Sequence, residues 1–118
     1  SLKEIWLPGY RTWSGGYNHA IGFHYKPLQD TKIYVPENVT SFTGKYNNCE
    51  FHFQSTKAPS NSDLTINNCT IYCPKGTTTS YFSAFGKENE YVESDFPKMT
   101  IEKDEYALRY INNQKQLE

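Results

Sequence analysis

Eight residues, Tyr46-Asn47-Asn48-Cys49-Glu50-Phe51-His52-Phe53, return twenty positions later as Ile66-Asn67-Asn68-Cys69-Thr70-Ile71-Tyr72-Cys73. Asn-Asn-Cys is identical in the two copies, and apolar residues recur at the first, fourth, sixth and eighth places. A period of about twenty residues with alternating apolar positions suits one coil of a stacked β-solenoid, because each coil exposes an apolar face that only a neighbouring coil covers. Strand alternation sets Cys49, Phe51 and Phe53 on one face of the first unit and Cys69, Ile71 and Cys73 on the matching face of the second. Glu50, His52, Thr70 and Tyr72 fall on the opposite face. Counting twenty residues further in either direction places Gln29 and Asn89 at the Cys position without matching neighbours, so irregular coils or caps are expected on both flanks.

A chain of 118 residues has room for one hydrophobic core. Ten Tyr and seven Phe make an aromatic interior the expectation, with tyrosine hydroxyls at its margin. Alanine is scarce beside Thr, Asn, Tyr and Phe, which disfavours long helices and suits strands joined by Asn- and Ser-containing turns. The predicted class is all-β, as a short parallel β-solenoid with irregular caps, or alternatively a β-sandwich or jelly roll, whose short strands and frequent turns fit equally. A net charge of −1 with Lys and Arg spread singly argues against nucleic-acid binding. No apolar run approaches the roughly 20 residues of a membrane span. The chain opens on Ser1 rather than Met, and a fragment of a longer protein is expected.

The single β-rich domain, 1–118, divides by composition. Residues 1–25 are aromatic and Gly-rich, 26–102 form the β core, and 103–118 make a short helix or tail. Strands are predicted at Ala20–Tyr25, at Lys32–Val35 before Pro36, from Val39 to Phe42 and onward, and in the two repeat units. Tyr81–Phe85, Glu90–Val92 and Lys98–Glu102 are further strand candidates. Glu105–Ile111 reads as a short helix after Asp104. Gln54–Ser62 is a polar loop pushed out from one corner.

Three cysteines, an odd number, make a poor disulfide scaffold. Cys49 and Cys69 occupy equivalent positions and are expected to stack as small core residues, with a disulfide or a metal site as alternatives. Asn38-Val39-Thr40 and Asn68-Cys69-Thr70 meet the glycosylation sequon; Asn68 is expected to be structural, its side chain enclosed in a bend.

The unit apolar-x-Asn-Cys-x-apolar resembles the coil consensus of pectate-lyase-like right-handed parallel β-helices, a group that includes polysaccharide lyases and phage tailspike shafts. The resemblance covers about 28 residues. It implies that Asn48 and Asn68 occupy the family's bend position, take a left-handed backbone conformation and stack in an amide ladder, with Cys49 and Cys69 behind them. Asn tolerates that backbone region better than most residues with a side chain.

No hydrolase, zincin, phosphate-loop or dinucleotide motif occurs, and acids are dispersed, so no catalytic residue, metal or cofactor is expected. Sugars present apolar ring faces edged by hydroxyls, and aromatic residues flanked by polar groups bind them. Trp6, Tyr10, Trp13, Tyr17 and His19 are therefore ligand-binding candidates, against the plainer alternative that they are core. His52 and Tyr72, twenty apart on the outward face, are a second candidate groove or simply a solvated face. The expectation is a non-enzymatic module of an extracellular or virion appendage. It would contact a glycan or cell-surface receptor, or serve fibre assembly, as a homo-oligomer that is trimeric if fibre-like. The alternatives are a polysaccharide-degrading lyase or hydrolase domain and a purely structural cap or trimerisation domain.

Overall fold

The computed structural model describes residues 3–6, 21–37, 39, 42–60 and 64–98. In chain order they form β1 (Lys3–Trp6), β2 (Ile21–Gln29), β3 (Thr31–Val35), β4 (Phe42–Asn47), β5 (Glu50–Phe53), β6 (Leu64–Asn67), β7 (Thr70–Cys73), α1 (Thr78–Phe85) and β8 (Glu90–Glu93). Among the described residues the fold is all-β apart from this one short helix. One sheet has the order β1-β3-β5-β7-β8 and the other β2-β4-β6. Every described pair is parallel. The antiparallel pairing of a sandwich or jelly roll is not what these strands make.

From β2 to β7 the chain changes sheet at every step, so each strand of one sheet is the crossover that a parallel pair in the other sheet needs. The sharp corners from β2 to β3, β4 to β5 and β6 to β7 contain Asp30, Asn48 and Asn68, with φ of 54°, 55° and 57°. A left-handed residue reverses the chain within one or two positions, and Asn and Asp are the residues with side chains that tolerate it best.

The strand register fixes columns perpendicular to the chain. Ile33, Phe51, Ile71 and Tyr91 line up on the inner face of the larger sheet, while Tyr34, His52, Tyr72 and Val92 line up on its outer face. The core between the sheets is aromatic at the second rung: Phe51 stacks on Phe53 at 5.6 Å, and the Tyr46 ring meets Phe51 edge-on at 5.1 Å.

The upper part of the stack corrects the twenty-residue count. Lys32 pairs with Glu50, eighteen positions on, and Gln29 pairs with Asn47. Asp30 therefore takes the place of Asn48, and fully buried Thr31 that of Cys49. The outer connection after β3 is short, so this rung uses fewer residues than the next, which carries the Gln54–Ser60 corner. Below, the twenty-residue period continues: Thr70 pairs with Glu90. Val39 does not open a strand; its N–H bonds the Pro36 carbonyl at 3.1 Å in a turn, and β4 begins at Phe42.

Tyr81–Phe85 is helix rather than strand. Its Thr, Tyr and Phe favour strands locally, but Tyr81 and Phe85 stand one helical turn apart and are both buried. They pack on Phe53 at ring distances of 4.8 and 5.9 Å, and tertiary packing overrides propensity. Glu93 accepts hydrogen bonds from the Gly76 amide (3.0 Å) and the Thr78 hydroxyl (2.9 Å) at the helix start. Gly86, with φ 87°, ends the helix. In the smaller sheet α1 stands where a further strand would follow β6. Lys98 lies outside any strand, and the remainder of the Lys98–Glu102 candidate and the Glu105–Ile111 helix lie outside the described residues.

Candidate functional site

Two constellations arise from the register, one at the bends and one on the outer face. At the bends the backbone N–H of each rung meets a side chain of the rung below. The Thr31 backbone bonds the Cys49 thiol. The Cys49 N–H donates to Cys69 Sγ at 3.4 Å, and the Cys69 N–H donates to Asn89 Oδ1 at 3.0 Å. Each thiol in turn donates to the carbonyl two residues earlier, Asn47 at 3.5 Å and Asn67 at 3.3 Å. A small side chain that accepts and donates at one atom satisfies the buried corner, which accounts for Cys at this step of the repeat. Asn89 does the same work at the last rung and also donates to the carbonyls of Ile66 (2.9 Å) and Phe85 (3.1 Å), closing the edge of the smaller sheet and the helix end.

All three cysteines are free and buried. The Cys69 thiol is pushed up, first by its hydrogen bond with Cys49 and then by burial, and stays neutral. Asn48 and Asn68 are exposed rather than enclosed, because a left-handed corner turns its side chain away from the core. Their amides do not bond one another: Asn48 Nδ2 donates to Asp30 Oδ1 at 2.5 Å and Asn68 Nδ2 to Asn47 Oδ1 at 3.2 Å. The enclosure argument against modification of Asn68 therefore falls. A polar groove of about 430 Å³ runs beside this corner, walled by Asn48, Asn68, Lys87 and Glu88.

On the outer face the parallel register stacks rings directly. Tyr34 and His52 lie 4.5 Å apart at 16°, and His52 and Tyr72 4.5 Å apart at 2°. Ring spacing follows strand spacing, about 4.8 Å, so residues in one column meet face to face. His52 Nε2 lies 2.6 Å from Glu50 Oε2, two residues back on the same face. Phe96 meets Tyr34 edge-on at 6.4 Å. Burial, then the nearby Glu4 and Glu50 carboxylates, push the Tyr34 phenol up.

In this column Glu50 and His52 are joined by a hydrogen bond. Both faces of His52 are covered by tyrosine rings, so His52 itself has no open face on which a sugar stacks. His52 and Tyr72 are thus brought together, with Tyr34, Glu50 and Phe96 added. Tyr34 was legible as an outward residue of the Lys32–Val35 strand, but the eighteen-residue spacing hid its place in the column. Trp6 stands in register with Tyr34 by its backbone. Tyr10, Trp13, Tyr17 and His19 lie outside the described residues.

Among the described residues no three His, Cys, Asp or Glu side chains are grouped to hold a metal ion. No described helix is long and apolar enough to cross a membrane. Comparison with protein families, with curated proteins and with solved structures finds no match.

Proposed function

We propose that this chain is a non-enzymatic segment of a right-handed parallel β-solenoid in an extracellular or virion appendage, with its coils serving as a rigid scaffold. The observation that carries this reading is the in-register stacking of rungs from β3 to β7 in the larger sheet and from β4 to β6 in the smaller one, with the same corner chemistry repeated at Thr31, Cys49 and Cys69. A stack of this kind gains stability from neighbouring coils and suits a load-bearing rod rather than a closed pocket. The outer face supports scaffolding over catalysis: its rings are spent on one another, and Glu50 bonds His52. Contact with a glycan or receptor is assigned to the aromatic stretch Trp6, Tyr10, Trp13, Tyr17 and His19.

The full chain on a glycan array, alongside an assay for new reducing or unsaturated ends on the same polysaccharides, tests this reading. Binding without turnover is expected, and Trp13→Ala weakens it by about 1–3 kcal/mol. Turnover of any polysaccharide would replace the scaffold reading with the lyase or hydrolase one.

A further inference from the structure

We infer that Cys49 and Cys69 form an oxidation site, at which a peroxide converts the two thiols into a disulfide that ties neighbouring rungs together at their inner corners. Each cysteine directly precedes its strand, and the first residues of those strands, Glu50 and Thr70, are parallel partners. The Thr70 N–H donates to the Cys49 carbonyl at 3.0 Å, and the Cys49 N–H lies 3.4 Å from Cys69 Sγ. Strand spacing then sets the two Cα atoms about 4.8 Å apart, inside the roughly 4.4–6.8 Å that a disulfide spans. Both side chains are buried, and the two sulfurs are within hydrogen-bonding reach of one another. Joining them needs no shift of register.

The same register sets the third cysteine apart. Cys73 is the parallel partner of Glu93 and lies four positions along the strand from Cys69. That separation is roughly 13 Å at about 3.3 Å per residue, and a bridge from Cys73 to either corner cysteine exceeds the disulfide span. The fold therefore selects one pair from the three thiols.

The two thiols differ in role. The hydrogen bond from Cys69 holds the Cys49 thiol below its ordinary range, against the opposing effect of burial, so Cys49 is the sulfur that ionises first. Cys69 borders the polar groove beside the corner, which brings a molecule as small as hydrogen peroxide next to the pair. The Cys49 thiolate attacks one peroxide oxygen and the O–O bond breaks. The leaving hydroxide takes up the proton that Cys49 gave up, forming water, and Cys49 becomes a sulfenic acid. The Cys69 sulfur then attacks the Cys49 sulfur, the S–O bond breaks, and the Cys69 proton leaves with that hydroxide as a second water. Two thiols thus give two electrons to one peroxide. The inference rests on the corner geometry and stands apart from the appendage reading.

The test treats the full reduced chain with hydrogen peroxide, once folded and once in concentrated urea, then blocks remaining thiols with an alkylating agent and maps the cross-links by peptide mass spectrometry. The folded chain is expected to give the intramolecular Cys49–Cys69 bridge, reversed by dithiothreitol, with Cys73 alkylated and oxidised at least about tenfold more slowly. In urea the shortest loop closes most readily, so Cys69–Cys73 should dominate there. Cys73→Ser should leave the folded-state bridge unchanged. In Cys69→Ser the sulfenic acid at Cys49 has no thiol beside it and should be trapped by dimedone. A folded chain that gives Cys69–Cys73, disulfide-linked dimers, oxidation of single cysteines without a bridge, or no reaction overturns the inference.

Discussion

At the scale of single residues, the corners carry the most specific physics. Asn68 is exposed, so its contribution comes from the left-handed backbone at φ 57° and its bond to Asn47, rather than from a buried amide. Asn68→Ala should cost about 1–2 kcal/mol through backbone strain, and Asn68→Gly, free of that strain, distinctly less. Urea unfolding of the two variants checks the order; equal losses would place the effect in the side-chain bond instead. Tyr81 gives a pH prediction. Its hydroxyl donates to the Ser55 carbonyl at 2.6 Å, and burial first, then Cys73, pushes the phenol above its ordinary value. A raised folded pKa favours the neutral form, so this stabilisation is complete below the unfolded value of about 10 and is lost as pH rises beyond it. Tyr81→Phe should cost about 1 kcal/mol at neutral pH and flatten the decline of stability above pH 10. An unchanged alkaline limb in the variant would assign that decline to other groups.

At the scale of elements, the strands of the repeat were legible and the helix was not. Alternation alone places Phe51, Phe53 and Ile71 inward and His52 and Tyr72 outward, because one face of each strand is buried and the side-chain period is two. The helical α1 was hidden because Thr, Tyr, Phe and Ser carry strand or turn preferences, and what makes them helical is long-range packing of Tyr81 and Phe85 on Phe53. The Tyr34 place in the ring column was hidden by an outer turn two residues shorter than its successor, a length that no local pattern announces. The column itself makes a prediction at this scale. His52 and Tyr72 should show a coupling of about 0.5–1.5 kcal/mol in a double-mutant cycle to alanine, the range for stacked aromatic pairs. Tyr34 and Tyr72, separated by a rung, should show much less coupling. Additive His52 and Tyr72 losses would mean that the rings lie side by side without stabilising one another.

At the scale of the whole molecule, the proposed solenoid makes stability a sum over neighbouring rungs, so rungs can be added. Inserting a second copy of residues 50–69 between Cys69 and Thr70 repeats one inner corner, one outer corner and one strand in each sheet, all in register. A ten-residue insertion at the same place shifts the inward residues out of their columns and serves as the control. The direct measurement is the urea unfolding transition of the twenty-residue insertion beside the parent chain. In-register coils predict one cooperative transition at least as stable as that of the parent, with a steeper denaturant dependence from the extra buried surface, while the control unfolds early. Loss of cooperative folding in the twenty-residue insertion, to the same degree as in the control, would contradict the stacking of interchangeable coils.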